Sequence, residues 1–91
     1  MSDPAEAFER LMRLRPELWS EIHRSRDWAI TITNSNDLEV FLNPEDAKGL
    51  DGCALYAMPI RQSIGVQPGQ VLIFDRLSGQ YIRRGEHPRA S

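Results

Sequence analysis

Residues 28–42 read Trp28-Ala29-Ile30-Thr31-Ile32-Thr33-Asn34-Ser35-Asn36-Asp37-Leu38-Glu39-Val40-Phe41-Leu42, and the periodicity of that stretch decides how the chain divides. Trp28, Ile30 and Ile32 alternate with Ala29, Thr31 and Thr33, a period of two that predicts a half-buried strand. Asn34 to Asp37 are all turn formers, and Leu38, Val40 and Leu42 then resume the alternation. Together these segments predict a β-hairpin, with Phe41 on the same side as Glu39.

On the N-terminal side of this stretch the spacing is different. Phe8, Leu11, Met12, Leu18, Trp19 and Ile22 recur every three or four residues, the signature of an amphipathic helix. Asp3 is placed to cap it, Pro4 suits the first helical position, and Glu6 suits the positive end of the dipole. Pro16 disfavours helical angles at Arg15, so either one helix kinks there or two follow one another. Glu6/Arg10 and Glu9/Arg13 are surface pairs four apart, each worth a few tenths of a kcal/mol.

On the C-terminal side, Asn43-Pro44-Glu45-Asp46 repeats a helix-start signal, and Gly49 limits it to a single turn. Residues 53–58 predict a short strand that Pro59 ends. Gln67-Pro68-Gly69-Gln70 suits a type II turn. Residues 71–74 form an apolar run of strand length, and Asp75 to Gly79 link it to residues 80–83 as a further hairpin. The expected class is α+β, with one or two N-terminal helices packed on a mainly antiparallel sheet of about five short strands. Residues 1–85 make one compact domain, and residues 86–91 a frayed polar tail.

Composition supports a single ordinary core. The chain has 91 residues, 41% of them apolar and 26% charged, values typical of a globular domain. The first thirty residues carry no apolar run of signal-peptide length, and the single cysteine, Cys53, cannot form an internal disulfide; both features point to the cytoplasm and away from a membrane. The net charge of −2 is unevenly spread. Residues 34–59 set Lys48 against Asp37, Glu39, Glu45, Asp46 and Asp51, a net of −4. Residues 60–91 set Arg61, Arg76, Arg83, Arg84 and Arg89 against Asp75 and Glu86, a net of +3. Such segregation either steers an acidic partner or is internal complementarity between parts of one fold.

Chemistry-bearing patterns are sparse. His23, His87 and Cys53 are far apart in sequence, so no metal-ligand spacing exists and no cofactor is expected. Cys53 has no flanking nucleophile motif and reads as a core residue. Glu17 and Glu21 are four apart, but Arg24 makes a surface ion pair the simpler reading for Glu21. Gly65 and Gly69 lack the trailing lysine and the strand–helix setting of a phosphate loop.

Residues 52–74, GCALYAMPIRQSIGVQPGQVLIF, resemble the swapped-hairpin domain of AbrB/MazE-like bacterial regulators and antitoxins. The resemblance is carried by Gly52, Ile60, Arg61, Ile64, Gly65, Val66, Pro68 and Gly69, and it continues through Gly79 and Tyr81-Ile82-Arg83 as the last two strands. It implies a homodimer that binds DNA, with Arg61 among the contacts. The chain departs from the family pattern where Tyr56-Ala57 replaces Ile-Pro, where Gln70 replaces an acid, and in its acidic residues 43–51.

The residues favour a non-enzymatic binding protein, an inhibitor, adaptor or accessory subunit that acts by protein–protein contact and forms a homodimer in one version. Large rings and arginines concentrate at such interfaces, which nominates Trp19, Phe41, Tyr81, Arg83 and Arg84. The alternative is a DNA-binding regulator or antitoxin whose C-terminal hairpins present Arg61, Arg76, Arg83 and Arg84 to phosphates. A sequence pI near 5.6 weighs against that alternative.

Overall fold

The computed structural model describes residues 4–50 and 52–85. Helix α1 runs Pro4–Leu14 and helix α2 runs Pro16–Thr33. Between them Arg15 sits at φ −136° and ψ 62°, outside the helical region, as the following proline requires. The junction therefore separates two helices rather than kinking one. Asp3 and the tail at 86–91 lie outside the described residues.

The expected strand at residues 28–33 is instead the last part of α2. Its apolar stripe continues past Ile22 through Ser25 and Ala29, giving buried positions at Leu18, Ile22, Ser25 and Ala29 with helical spacing. Serine and alanine do not register as apolar signals, so the alternation of isoleucine with threonine dominates the pattern. The threonines also find local partners that suit a helix. Thr31 Oγ1 donates to the Trp28 carbonyl at 2.7 Å, and Thr33 Oγ1 donates to the Ala29 carbonyl at 2.8 Å. Asn34 then stops the helix in the left-handed region at φ 57°, donating its N–H to the Ile30 carbonyl at 2.9 Å. Exposed Thr31 offers a test by sign. Thr31→Ala should stabilise the protein by about 0.3–0.6 kcal/mol in urea titration, because alanine is the better helix former. A strand there would lose stability with the same change.

The sheet contains β1 (Leu38–Leu42), β2 (Ala54–Leu55), β3 (Met58–Gln62), β4 (Val71–Asp75) and β5 (Gln80–Ile82), in the spatial order β2-β3-β1-β4-β5. Three of the four pairings are antiparallel, and β1 with β3 is parallel, with Val40 opposite Ile60. Thus β1 does not form a hairpin with the preceding residues. It is the central strand, paired with β3 and β4.

The strand expected at 53–58 is also corrected. It breaks at Tyr56 and Ala57, which adopt φ 52° and 63° and reverse the chain between β2 and β3. Tight hairpin turns of that hand usually carry Asn-Gly, and its absence conceals the turn. Pro59 lies inside β3, opposite Ala54, rather than ending a strand. The proline–glycine turn is as expected: Gln70 donates to the Gln67 carbonyl at 3.0 Å, with Gly69 at φ 82°. The β4–β5 hairpin likewise closes through Gly79, at φ 72°, which donates to the Asp75 carbonyl at 2.8 Å.

One face of the sheet carries Leu38, Val40, Leu42, Ile60, Ile73 and Ile82, all buried against Ala7 and Leu11 of α1 and Leu18, Ile22 and Ala29 of α2. Met12, placed on the helical stripe by its spacing, is exposed. Burying an aliphatic side chain is worth about 1.5–3 kcal/mol, so this layer is the main source of stability. Both helices lie on this side.

Candidate functional site on the uncovered sheet face

Strand alternation sends every second side chain away from the helices. On β1 these are Glu39 and Phe41, on β4 Leu72 and Phe74, on β5 Tyr81, and on β3 Arg61, which is the cross-strand neighbour of Phe41. No described helix or strand lies across this second face. The rings gather at its centre. Phe41 and Phe74 have centroids 6.3 Å apart at 77°, Phe41 and Tyr81 6.0 Å, and Phe74 and Tyr81 4.7 Å. Phe41 and Phe74 are half-buried by their neighbours, whereas Tyr81 is 58% exposed.

Glu39 lies beneath this surface, with its side chain only 12% exposed. Two guanidinium groups neutralise it: Arg61 Nε at 3.5 Å and Arg76 Nη1 at 3.6 Å. Arg76 also grips Asp37 through Nε and Nη2, and donates its backbone N–H to the Asp37 carbonyl. Arg76 is therefore held chiefly by Asp37. Arg61 meets Glu39 through one long contact, and its side chain is 56% exposed.

The remaining nominated residues lie elsewhere. Trp19 belongs to a separate ring array on the helical side, 5.8 Å from Phe8 and 4.7 Å from His23. His23 in turn meets Tyr56 at 5.4 Å, and Arg26 lies 4.8 Å over the Tyr56 ring. That ladder ties the strained β2–β3 turn to α2 and gives Tyr56 a reason to tolerate its positive φ. Arg84 reaches back to α2 and donates a fork to Glu21 at 2.7 and 2.8 Å. This fork, with help from the Ser25 hydroxyl and against the opposing effect of burial, holds the Glu21 carboxyl below its usual range. Arg83 lines a cleft of about 250 Å³ at the edge, with Glu21, Gly69, Gln70, Val71 and Arg84.

The nominated set is thus divided. Phe41, Tyr81, Arg61 and Arg76 share the uncovered face, while Trp19 and Arg84 serve contacts within the chain. Sequence reasoning missed Phe74, Leu72 and Glu39. The run at 71–74 reads as uniformly apolar, and only alternation within it assigns Leu72 and Phe74 to the second face.

The uneven charge is mostly spent internally. Asp37 and Glu39 pair with Arg76 and Arg61, Glu21 with Arg84, and buried Asp46 accepts from Arg15 Nη1 at 2.8 Å and the Gly69 amide at 2.7 Å. Cys53 is a half-buried free thiol. Among the described residues no three His, Cys, Asp or Glu side chains group as metal ligands, and no helix is long and apolar enough to cross a membrane. The chain matches no protein-family model, and no curated protein or solved structure matches it either.

Proposed function

We propose that this chain is a small non-enzymatic binding module that docks another protein on the uncovered face of its sheet. The observation that carries the reading is the cluster of Phe41, Phe74 and Tyr81 on a face that no described element covers. Exposed ring clusters rimmed by arginine have the composition of interface centres. Nucleic-acid binding draws less support. Arg76 and Arg84 are hydrogen-bonded to carboxylates, which a phosphate would have to displace, and Arg61 alone is weakly engaged. Within this reading the module acts inside the cytoplasm as an inhibitor, adaptor or accessory subunit.

Quantitative affinity capture from source lysate tests it, with the protein compared against Tyr81→Glu and Ile64→Glu. Ile64 is 93% exposed on the β3–β4 loop and serves as a surface control. The expected result is a stoichiometric partner retained by the protein and by Ile64→Glu, and reduced at least about tenfold by Tyr81→Glu, which buries a charge at the contact centre. Equal capture by all three chains would remove the uncovered face as the docking surface.

A further inference from the structure

We infer that the segment docked on this face is acidic, with carboxylates flanking apolar anchors; the inference rests on the docking reading above. It follows from which charges reach the surface. Of the two carboxylates of the face, Glu39 is recessed at 12% side-chain exposure and Asp37, at 37%, is held by Arg76, whereas Arg76 is 44% and Arg61 56% exposed. A partner approaching the sheet therefore meets guanidinium groups and rings first. Arg76 commits Nε and Nη2 to Asp37. Arg61 meets Glu39 only at 3.5 Å and is the more exposed of the two guanidinium groups.

A guanidinium is matched by a carboxylate, which accepts two parallel hydrogen bonds from its planar fork. Arg61 stands beside Phe41 across the β3–β1 pair, and Phe41 packs on Phe74 and Tyr81. The complementary segment thus places a carboxylate next to an apolar or aromatic side chain that packs on the rings. A second copy of this chain is a poor occupant. Face to face it would bring exposed guanidinium groups together while Glu39 of each copy stayed recessed. Single-stranded nucleic acid is also a poor occupant. It needs several free cations and open ring faces, and among the described residues of this surface Arg76 is hydrogen-bonded to Asp37 and Arg61 alone is weakly engaged, with Phe41 and Phe74 edge to face. Residues 86–91 contain no large apolar side chain to lay on the rings.

The test is selection of a random 12-residue peptide library on the full chain, counter-selected on Tyr81→Glu. Enriched peptides are then synthesised and titrated by fluorescence anisotropy against the protein, Arg61→Glu and Arg61→Lys. The expected outcome is a Tyr81-dependent set with net negative charge and at least one aromatic or aliphatic anchor. Binding should weaken about tenfold or more in Arg61→Glu, and by a smaller factor in Arg61→Lys, which keeps the charge and loses the fork. A Tyr81-dependent set that is neutral or basic overturns the acidic assignment and leaves the docking face standing. Absence of any Tyr81-dependent set removes both. A (dT)12 oligonucleotide that binds this face more tightly than the peptides, with steep loss in salt, replaces the inference with nucleic-acid binding.

Discussion

Asp75→Ala is expected to destabilise the protein by about 3–4 kcal/mol in urea titration, a large part of the roughly 5–14 kcal/mol available to a chain this size. Asp75 is 2% exposed at the end of β4, yet its carboxylate has partners on every side. Ser35 Oγ donates to it at 2.9 Å from the α2–β1 link, and Ser78 Oγ at 2.8 Å and the Leu77 amide at 3.1 Å from the β4–β5 turn. One side chain therefore fastens the stop of α2 to the hairpin that carries Tyr81. Alanine would leave the buried Ser35 hydroxyl without its acceptor and the turn without its anchor. Hydrogen bonds to a charged group are worth about 1.5–3 kcal/mol each and are not additive, which sets the expected range.

The pH dependence follows in sign. Burial alone would raise the Asp75 carboxyl, but the Ser78 and Ser35 hydroxyls and the Leu77 and Ser78 amides together outweigh it and hold it below the usual range. A carboxyl depressed in the folded state contributes stability that is complete above its unfolded value, about 3.9, and is lost as pH falls through the folded value. The gap between the protein and Asp75→Ala should accordingly be constant near neutrality and narrow below about pH 4. A gap that widened on acidification would contradict this assignment.

Neighbouring residues on β4 should behave in opposite ways. Ile73 is fully buried between Val40 and Ile82 and faces the helices, so Ile73→Ala is expected to cost about 3–4 kcal/mol through lost burial and the cavity left behind. Phe74, one residue later, points to the uncovered face and is only half-buried, so Phe74→Ala should cost about 1 kcal/mol or less of folding stability. The same substitution removes the ring in contact with both Phe41 and Tyr81, and should reduce partner capture by about tenfold or more. Stability by urea titration and capture by quantitative pull-down separate the two effects. Equal destabilisation by both variants would mean that the second face is part of the folding core.

Much of this arrangement was legible in the sequence, and the failures have physical causes. The α+β class follows from the change of period. The interruption at Arg15, the proline–glycine turn and the β4–β5 hairpin rest on local rules that tertiary packing did not override, although the sequence left open whether Arg15 kinks one helix or separates two. The placing of Phe41 on the side of Glu39 follows from strand alternation alone. Residues 28–33 misled because alternating β-branched side chains imitate a strand, while the small buried residues Ser25 and Ala29 carry the helical stripe silently. The β2–β3 turn was hidden because Tyr56 occupies a conformation that ordinarily calls for glycine or asparagine, held by ring contacts from distant His23 and Arg26. The site was half visible. Phe41, Tyr81, Arg61 and Arg76 are each legible as candidates and Phe74 is not, while which of them share a face depends on strand order, and the parallel placing of β3 beside β1 has no local signature.

Ring-resolved hydroxyl-radical footprinting of the free chain and of the captured complex tests the docking face most directly. Tyr81 and the edges of Phe41 and Phe74 should react in the free chain and become protected in the complex, with Tyr56 and Leu77 unchanged as exposed controls. Undiminished reactivity of Tyr81, Phe41 and Phe74 in the complex would contradict docking on this face.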